Sequence, residues 1–289
     1  MIDLHVHTRF SDGTWTPEEG VAAARRAGVS ALAFTDHDAV EAVGPGMAAA
    51  VREGLGFISG VEISAGSSAD PVHLLGYGID PDHPALREVL AKNQAAWEEN
   101  ERLSLERRAR LGVVISPERY EYWRRHREAG GWPTLNCLVE MGLVTDYREY
   151  FDRYFGPGRP AYVETTFVAP AEAIAAIKAA GGVPVLAHPG AYHPEGKTIL
   201  ERQELLAEMV ALGIEGLEVY SQANSPAVQE FLSAYAREHD LLVTGGSDCH
   251  GEFIPARRLG FPPVPDECFT ALLARMNPER VVLSPSVRR

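Results

Sequence analysis

The chain has 289 residues, of which 45% are hydrophobic and 23% charged, with a formal net charge of −13 at pH 7. That composition suits a soluble globular enzyme built as one large barrel or two domains, and the acidic balance argues against a broad basic surface for duplex nucleic acid. Three cysteines (Cys137, Cys249, Cys268) without C-x-x-C spacing indicate neither a disulfide framework nor a zinc ribbon. From the start of the chain, Ile2, Leu4 and Val6 alternate with Asp3, His5 and His7, the period-2 pattern of a strand. His5 and His7 therefore face the same side, about two strand rises (~7 Å) apart at their backbones. Such a pair can chelate one metal ion, and Asp12 in the following Ser-Asp-Gly turn can return a carboxylate to the same place. Thr16, Pro17 and Glu19 spell a capping box, starting a helix that runs to Gly28.

A strand over residues 31–35 ends in Thr35-Asp36-His37-Asp38, and a helix over 43–53 stops at Gly54. Residues 57–64 read as a strand with Glu62 near its end, and 72–77 as another with His73 at its start. Repetition of strand, polar cluster and helix is the pattern of an α/β protein with a parallel sheet. From Asp80 the alternation stops. Residues 84–111 form a helical stretch rich in Glu, Arg and Lys, with Leu86, Val89, Leu90, Trp97 and Leu103 as the expected buried positions. Shorter helical pieces follow at 117–127, 135–141 and 147–155, and Gly156-Pro157-Gly158-Arg159-Pro160 closes the block as a loop. Residues 80–160 are thus expected to be a helical insertion, a lid or substrate domain, between barrel segments 1–79 and 161–289.

The alternation then resumes, with helices over 170–180, 199–212 and 226–238 and strands over 182–187, 216–220 and 241–245. About seven strand-helix units suggest a closed or nearly closed barrel, with an open doubly wound sheet as the alternative. His5, His7, Asp12, His37, Glu62, His188, Asp248 and His250 fall at or just after strand ends, the face where such barrels build active sites. His73, at a strand start, requires its strand to run the other way or to be cut off from the regular pattern. With His73 the set exceeds the four to six ligands of one ion and suits two or three ions that share bridging groups. No apolar run is long enough to span a bilayer, and a strand at Ile2 leaves no room for a signal peptide, so the expected location is cytoplasmic.

His5-Val6-His7, Thr35-Asp36-His37-Asp38, Gly60-Val61-Glu62-Ile63-Ser64, His73-Leu74-Leu75-Gly76, His188-Pro189-Gly190 and Gly246-Ser247-Asp248-Cys249-His250 resemble, in order, the motifs of the PHP family of polymerase and histidinol phosphatase phosphoesterases. The helical block between the His73 and His188 motifs resembles the branch of bacterial nucleoside 3',5'-bisphosphate phosphatases and 5'-3' exoribonucleases. The resemblance implies a distorted (β/α)7 barrel and three divalent metal ions, with Mn2+, Fe2+ and Zn2+ all compatible with the ligands. It implies one ion on His5, His7, Glu62 and Asp248, a second sharing Glu62 with His73 and His188, and a third on Asp12, His37 and His250. Glu62, Asp248 and His250 would then serve catalysis with a metal-bridging hydroxide that attacks a phosphate monoester. Asp36 and Glu218 are candidates to orient an imidazole.

The branch carries an Arg-x-His in the insertion that helps to hold substrate phosphate, and here the corresponding stretch reads Gly131-Trp132-Pro133. Arg159, Arg257 and Arg258 are the candidates to replace it, and Trp132 is a candidate to stack on a base. The expected partner is a small phosphorylated substrate, a nucleotide or a short RNA end, with neither duplex nucleic acid nor membrane. The expected reaction is hydrolysis of that phosphomonoester. Trimming of RNA ends by the same centre is the alternative, and a metal-dependent hydrolase of non-phosphate bonds a more distant one.

Overall fold

The structure is a computed structural model that describes residues 1–191 and 197–282; parts of the expected barrel at 192–196 and 283–289 lie outside the described residues. The first segment alternates β1 (Ile2–Val6), α1 (Pro17–Arg26), β2 (Ala31–Phe34), α2 (Val43–Glu53), β3 (Gly56–Ser67) and β4 (Asp70–Tyr77). The start of α1 is fixed by the expected capping box: Thr16 Oγ1 accepts from Glu19 N at 3.1 Å, and Glu19 Oε2 accepts from Thr16 N at 2.8 Å. The helical block follows as α3 (Pro84–Arg110), α4 (Pro117–Arg125), α5 (Pro133–Glu140) and α6 (Tyr147–Tyr150), the last continued by one π-helical turn, Phe151–Phe155. The chain ends as α7 (Pro170–Ala179), β5 (Val183–Leu186), α8 (Gln203–Leu212), β6 (Gly216–Tyr220), α9 (Pro226–Glu238), β7 (Leu242–Gly245), α10 (Asp266–Leu273) and β8 (Val281–Val282).

Strands β1 to β7 lie side by side in sequence order, and β8 pairs antiparallel on β3. All neighbours among the seven are parallel except β4, which is antiparallel to both β3 and β5. Reversal of β4 sets His73 opposite Ser64, two residues beyond Glu62 on β3. A residue near the start of β4 thereby reaches the end where the other strands finish. The last gap, between β7 and β1, is spanned by a parallel bridge from Val6 to Cys249 and a hydrogen bond from His7 N to Cys249 O at 2.9 Å. The result is a nearly closed seven-stranded barrel.

Two apolar cores support it. One lies between strands and flanking helices, where Phe34, Phe57, Leu74, Ile177, Leu206 and Leu232 are buried. The other joins Ile2, Leu4, Ala33, Ile58, Tyr77 and Val185, side chains from five strands, to Phe269 and Leu272 of α10. Neither α10 nor β8 was expected, because a two-residue strand has no period to read and 266–273 follows an irregular stretch. The helix expected from residue 199 begins at Gln203, after a 3-10 turn at Ile199–Glu201.

The block between β4 and α7 is held to the barrel differently. Leu86, Val89 and Leu90 are buried as expected, but Trp97 and Leu103 are only half-buried. Further along α3 the buried positions are Asn93, Asn100, Ser104 and Arg108. They follow helical spacing, so this stripe of the core is polar. Asn93 donates to Ser64 O at 2.7 Å and accepts from Val168 N at 3.0 Å, while Asn100 donates to Val163 O at 3.0 Å. Side-chain amides thus pair the backbone of the segment that returns from the insertion, meeting its need for partners away from water. Among the described residues no helix is long and apolar enough to cross a membrane.

Candidate metal centre

β1 places His5 and His7 side by side with Nε2 atoms 3.1 Å apart. The Thr8–Gly13 turn carries Asp12 back toward them, with Asp12 Oδ1 3.4 Å from His7 Nδ1. Glu62 stands at the middle of the group. Its Oε2 lies 3.1 Å from His5 Nε2, 3.2 Å from His7 Nε2 and 3.2 Å from His37 Nδ1. Its Oε1 lies 3.0 Å from His73 Nδ1 and 2.9 Å from His188 Nε2. Asp248 Oδ1 is 3.1 Å from His7 Nε2, and His250 Nε2 is 3.3 Å from Asp12 Oδ2. Every ligand candidate found on strand ends in the sequence is therefore brought into one cluster.

The backbone bends to achieve this. Asp248 (φ +53°) and His188 (φ +25°) both sit in the left-handed region, which costs non-glycine residues energy and concentrates at functional sites.

The donor set matches metal ions. His5 Nδ1 faces Glu218 Oε1 at 2.9 Å, and a proton on that nitrogen leaves the Nε2 lone pair bare. His7 Nδ1 faces Ser11 Oγ at 3.3 Å in the same way. Two bare imidazole nitrogens then converge with Glu62 Oε2 and Asp248 Oδ1, four acceptors with nothing to share but a cation. Among the described residues, Asp12 Oδ1 and His37 Nδ1 are also buried without a hydrogen-bond partner. Three overlapping groups have ligand atoms close enough to hold an ion: His5, His7, Glu62 and Asp248; His7, Asp12, His37 and His250; and His37, Glu62 and His73. His7 and His37 each belong to two of these groups, where the resemblance implies one.

Titration follows the same field. Burial disfavours the imidazolium of His5, but Glu218, Glu62 and Asp248 outweigh it and hold the pKa well above the ordinary value. At His7, burial is again outweighed, by Asp248 and Glu62, and the pKa is pushed up to about 10. At His37 burial prevails over Glu62 and Asp12, and the pKa falls to about 3. Burial of Glu62 and Asp248 is overcome by the surrounding imidazoles, with Arg257 adding to the effect at Asp248, so both stay well below the usual carboxylate range. Protons and metal ions compete for such a site.

Other candidates divide. Glu218 does orient an imidazole, and its Oε2 also accepts from His188 N at 2.7 Å. Asp36 does not. It accepts from Thr8 N at 2.7 Å and Ser11 Oγ at 2.6 Å, holding the turn that carries Asp12. Two carboxylates of similar importance escaped the sequence reading: Asp3, which accepts from Ser247 N at 2.8 Å and Gly260 N at 2.7 Å, and Asp38, which accepts from Asn93 and Trp97 of α3. Each lies next to a ligand motif, the one signal that was available.

Among the arginines, Arg257 places Nη1 2.5 Å from Asp248 Oδ2. Arg258 is exposed and stacks over Phe261, and Arg159 is exposed in the turn that closes the insertion. Trp132 is caught between Tyr150, Phe151 and Phe253 in the insertion's own aromatic core, which leaves it poorly placed to stack on a base. Where the expected Arg-x-His is missing, Gly130 and Gly131 (φ +68° and +64°) let the insertion touch the centre. Gly131 N donates to Asp12 O at 2.8 Å, and a Cβ on Gly130 would lie 2.7 Å from Phe253 Cβ. Arg127 of the same segment donates to Ser11 O.

A barrel whose strand ends collect imidazoles and carboxylates around a shared glutamate defines a metal-dependent hydrolase. The PHP domain matches residues 3–129. The chain is 34% identical to the 3',5'-nucleoside bisphosphate phosphatase of Chromobacterium violaceum, over 95% of this chain and 97% of that protein. It is 34% identical to the 5'-3' exoribonuclease Rnm of Escherichia coli, over 86% of this chain and 85% of that protein. The crystal structure of a putative metal-dependent phosphoesterase from Bifidobacterium adolescentis superimposes with a TM-score of 0.85 at 32% identity, covering 95% of this chain and 96% of that one. The chain belongs to the PHP family and is a metal-dependent phosphoesterase.

Proposed function

We propose that the protein hydrolyses a phosphate monoester of a nucleotide or similar small molecule at a centre of three divalent ions, in the cytoplasm, where its buried unpaired cysteines suit a reducing compartment. The observation that carries the reading is Glu62, whose two oxygens face two different sets of imidazoles and so can bridge two cations. His5, His7, Glu62 and Asp248 would hold one ion, Glu62, His73 and His188 a second, and Asp12, His37 and His250 a third. When bound, Mn2+, Fe2+ or Zn2+ supplies Lewis acidity and lowers the pKa of coordinated water toward ~7.

The chain's own groups fix the geometry. Glu218 locks the His5 tautomer, Asp3 and Asp36 hold the turns bearing Asp248 and Asp12, and Arg257 holds the outer oxygen of Asp248 while leaving Oδ1 for the cluster. Glu62, Asp248 and His250 are the catalytic positions. Residues 80–160 act as the substrate domain over this face. Arg159 and Arg258 make no side-chain contact with the cluster, so Arg257 is the remaining candidate from that set for the substrate's edge.

A second reading, 5'-3' trimming of RNA ends, has the identity to the E. coli exoribonuclease in its favour. The deciding experiment compares kcat/KM of Mn2+-loaded protein for AMP, adenosine 3',5'-bisphosphate and a 5'-phosphorylated dinucleotide. The monoesterase reading expects phosphate release from AMP. Because Gly131-Trp132-Pro133 stands where the resemblance implies an Arg-x-His, it also expects a bisphosphate preference under ~100-fold, equivalent to about 2.7 kcal/mol. Cleavage of the dinucleotide with no release from either mononucleotide would overturn it.

A further inference from the structure

A cavity of about 410 Å3 lies where the insertion meets the loop after His250, walled by Trp123, Leu135, Tyr147 and Phe253. Its size is that of a small-molecule pocket. The Phe253 ring connects it to the metal centre, with its centroid 6.4 Å from the His250 ring and 5.7 Å from the Tyr147 ring. A molecule held by its phosphate at the strand ends therefore has an aromatic chamber beside it, one ring's width away.

Most of the spare polar groups around this chamber are acceptors. Asp146 uses Oδ1 to cap Glu149 N at 2.9 Å, which leaves Oδ2. Asn136 donates one Nδ2 hydrogen to Gly130 O at 2.9 Å, which leaves Oδ1 as an acceptor beside the second amide hydrogen. Glu252 is exposed, and its carboxylate has no hydrogen bond or ion pair among the described residues. The Trp123 ring N–H is already donated, to Glu140 Oε2 at 2.9 Å. A chamber with aromatic walls and spare acceptors selects a flat ring that brings its own N–H donors. Its carboxylates also repel phosphate, which directs the anionic end of the same molecule toward the metals.

We propose that this cavity holds the nucleobase of the substrate and prefers bases with an exocyclic amino group; the proposal rests on the phosphoesterase reading above. The insertion then contributes base recognition, through Tyr147 and Trp123 rather than Trp132.

The test is the ratio of kcat/KM for AMP to that for ribose 5-phosphate, in Mn2+-loaded wild type, Tyr147→Ala, Trp123→Ala and the ring-conserving Tyr147→Phe. Loss of one stacking wall is expected to lower the ratio about tenfold, which is about 1.4 kcal/mol, mainly through KM, while Tyr147→Phe retains it. AMP is also expected to be favoured over UMP. A ratio near one in the wild type, or one that stays constant in both alanine variants, overturns the proposal. Saturation-transfer NMR with adenosine and uridine needs no turnover and separates the two ideas. Adenosine binding that is lost in Tyr147→Ala supports the base site even if no monoester is hydrolysed, and absence of adenosine binding to the wild type overturns it.

Discussion

Asn93 donates its Nδ2 hydrogen to Asp38 Oδ1 at 2.7 Å, joining α3 to the loop that carries His37. The same carboxylate accepts from Ser64 N at 3.1 Å and Trp97 Nε1 at 3.1 Å, and burial outweighs these bonds enough to raise its pKa. One side chain thus ties the insertion, the end of β3 and a candidate ligand loop together. Asn93→Leu preserves size but removes one of the three donors to Asp38 and the side-chain partners of Ser64 O and Val168 N. Since each unmet buried partner costs about 1–3 kcal/mol, the variant is expected to lose about 2–4 kcal/mol in urea unfolding. A loss below 0.5 kcal/mol would mean that apolar packing holds the insertion.

Arg108 is a second polar anchor, fully buried, with Nη2 2.6 Å from Tyr150 Oη and its guanidinium 5.1 Å from that ring's centroid. Among the described residues its Nε and Nη1 have no hydrogen-bond partner, although the buried Glu101 carboxylate lies within its field. A buried charge with so few hydrogen bonds gains little over an apolar group of the same length. Arg108→Met is therefore expected to be neutral or stabilising, and Arg108→Ala to cost about 2–4 kcal/mol through the cavity it leaves. Equal large losses in both, measured by thermal or urea unfolding, would show that the charge itself is needed.

These anchors mark the limit of what the sequence disclosed. The cluster of candidate ligands was legible because imidazoles and carboxylates recur where apolar runs end, and a strand end on a barrel is a fixed place in space. Reversal of β4 was one of two readings that His73 left open, and the antiparallel pairing with β3 and β5 decides between them. The polar stripe of α3 was not, because hydrophobic periodicity registers burial by apolar contact and is blind to burial by amide hydrogen bonds. Asp3 and Asp38 were hidden for a related reason: what they hold is backbone of a loop that is distant in sequence. Trp132 and Trp123 differ only in their neighbours, so composition could not tell the core tryptophan from the one lining the cavity.

Proton competition at His7 gives a pH dependence with a definite sign. Its pKa in the folded, metal-free protein is about 10, against an ordinary value of 6.5. The folded state therefore holds more protons than the unfolded state between these values. The stabilisation is complete below about pH 6.5 and is lost as pH rises toward 10. Metal-free protein is expected to show a falling Tm from pH 6.5 to 9.5, with the fall reduced by Mn2+, which substitutes for the protons. A Tm that rises over this interval without metal would contradict the assignment.

Glu62→Gln keeps the size and hydrogen-bonding shape of the side chain that faces five imidazoles but removes its charge. Phosphatase activity is expected to fall by orders of magnitude and the metal load to drop, while circular dichroism shows the fold intact. Near-normal turnover at full metal load would remove Glu62 from the bridging role.

Elemental analysis of gently purified, Mn2+-reconstituted protein tests whether these strand ends hold three divalent ions around Glu62. Close to three metal ions per chain are expected, whereas one or fewer per chain after reconstitution would rule out the trinuclear centre.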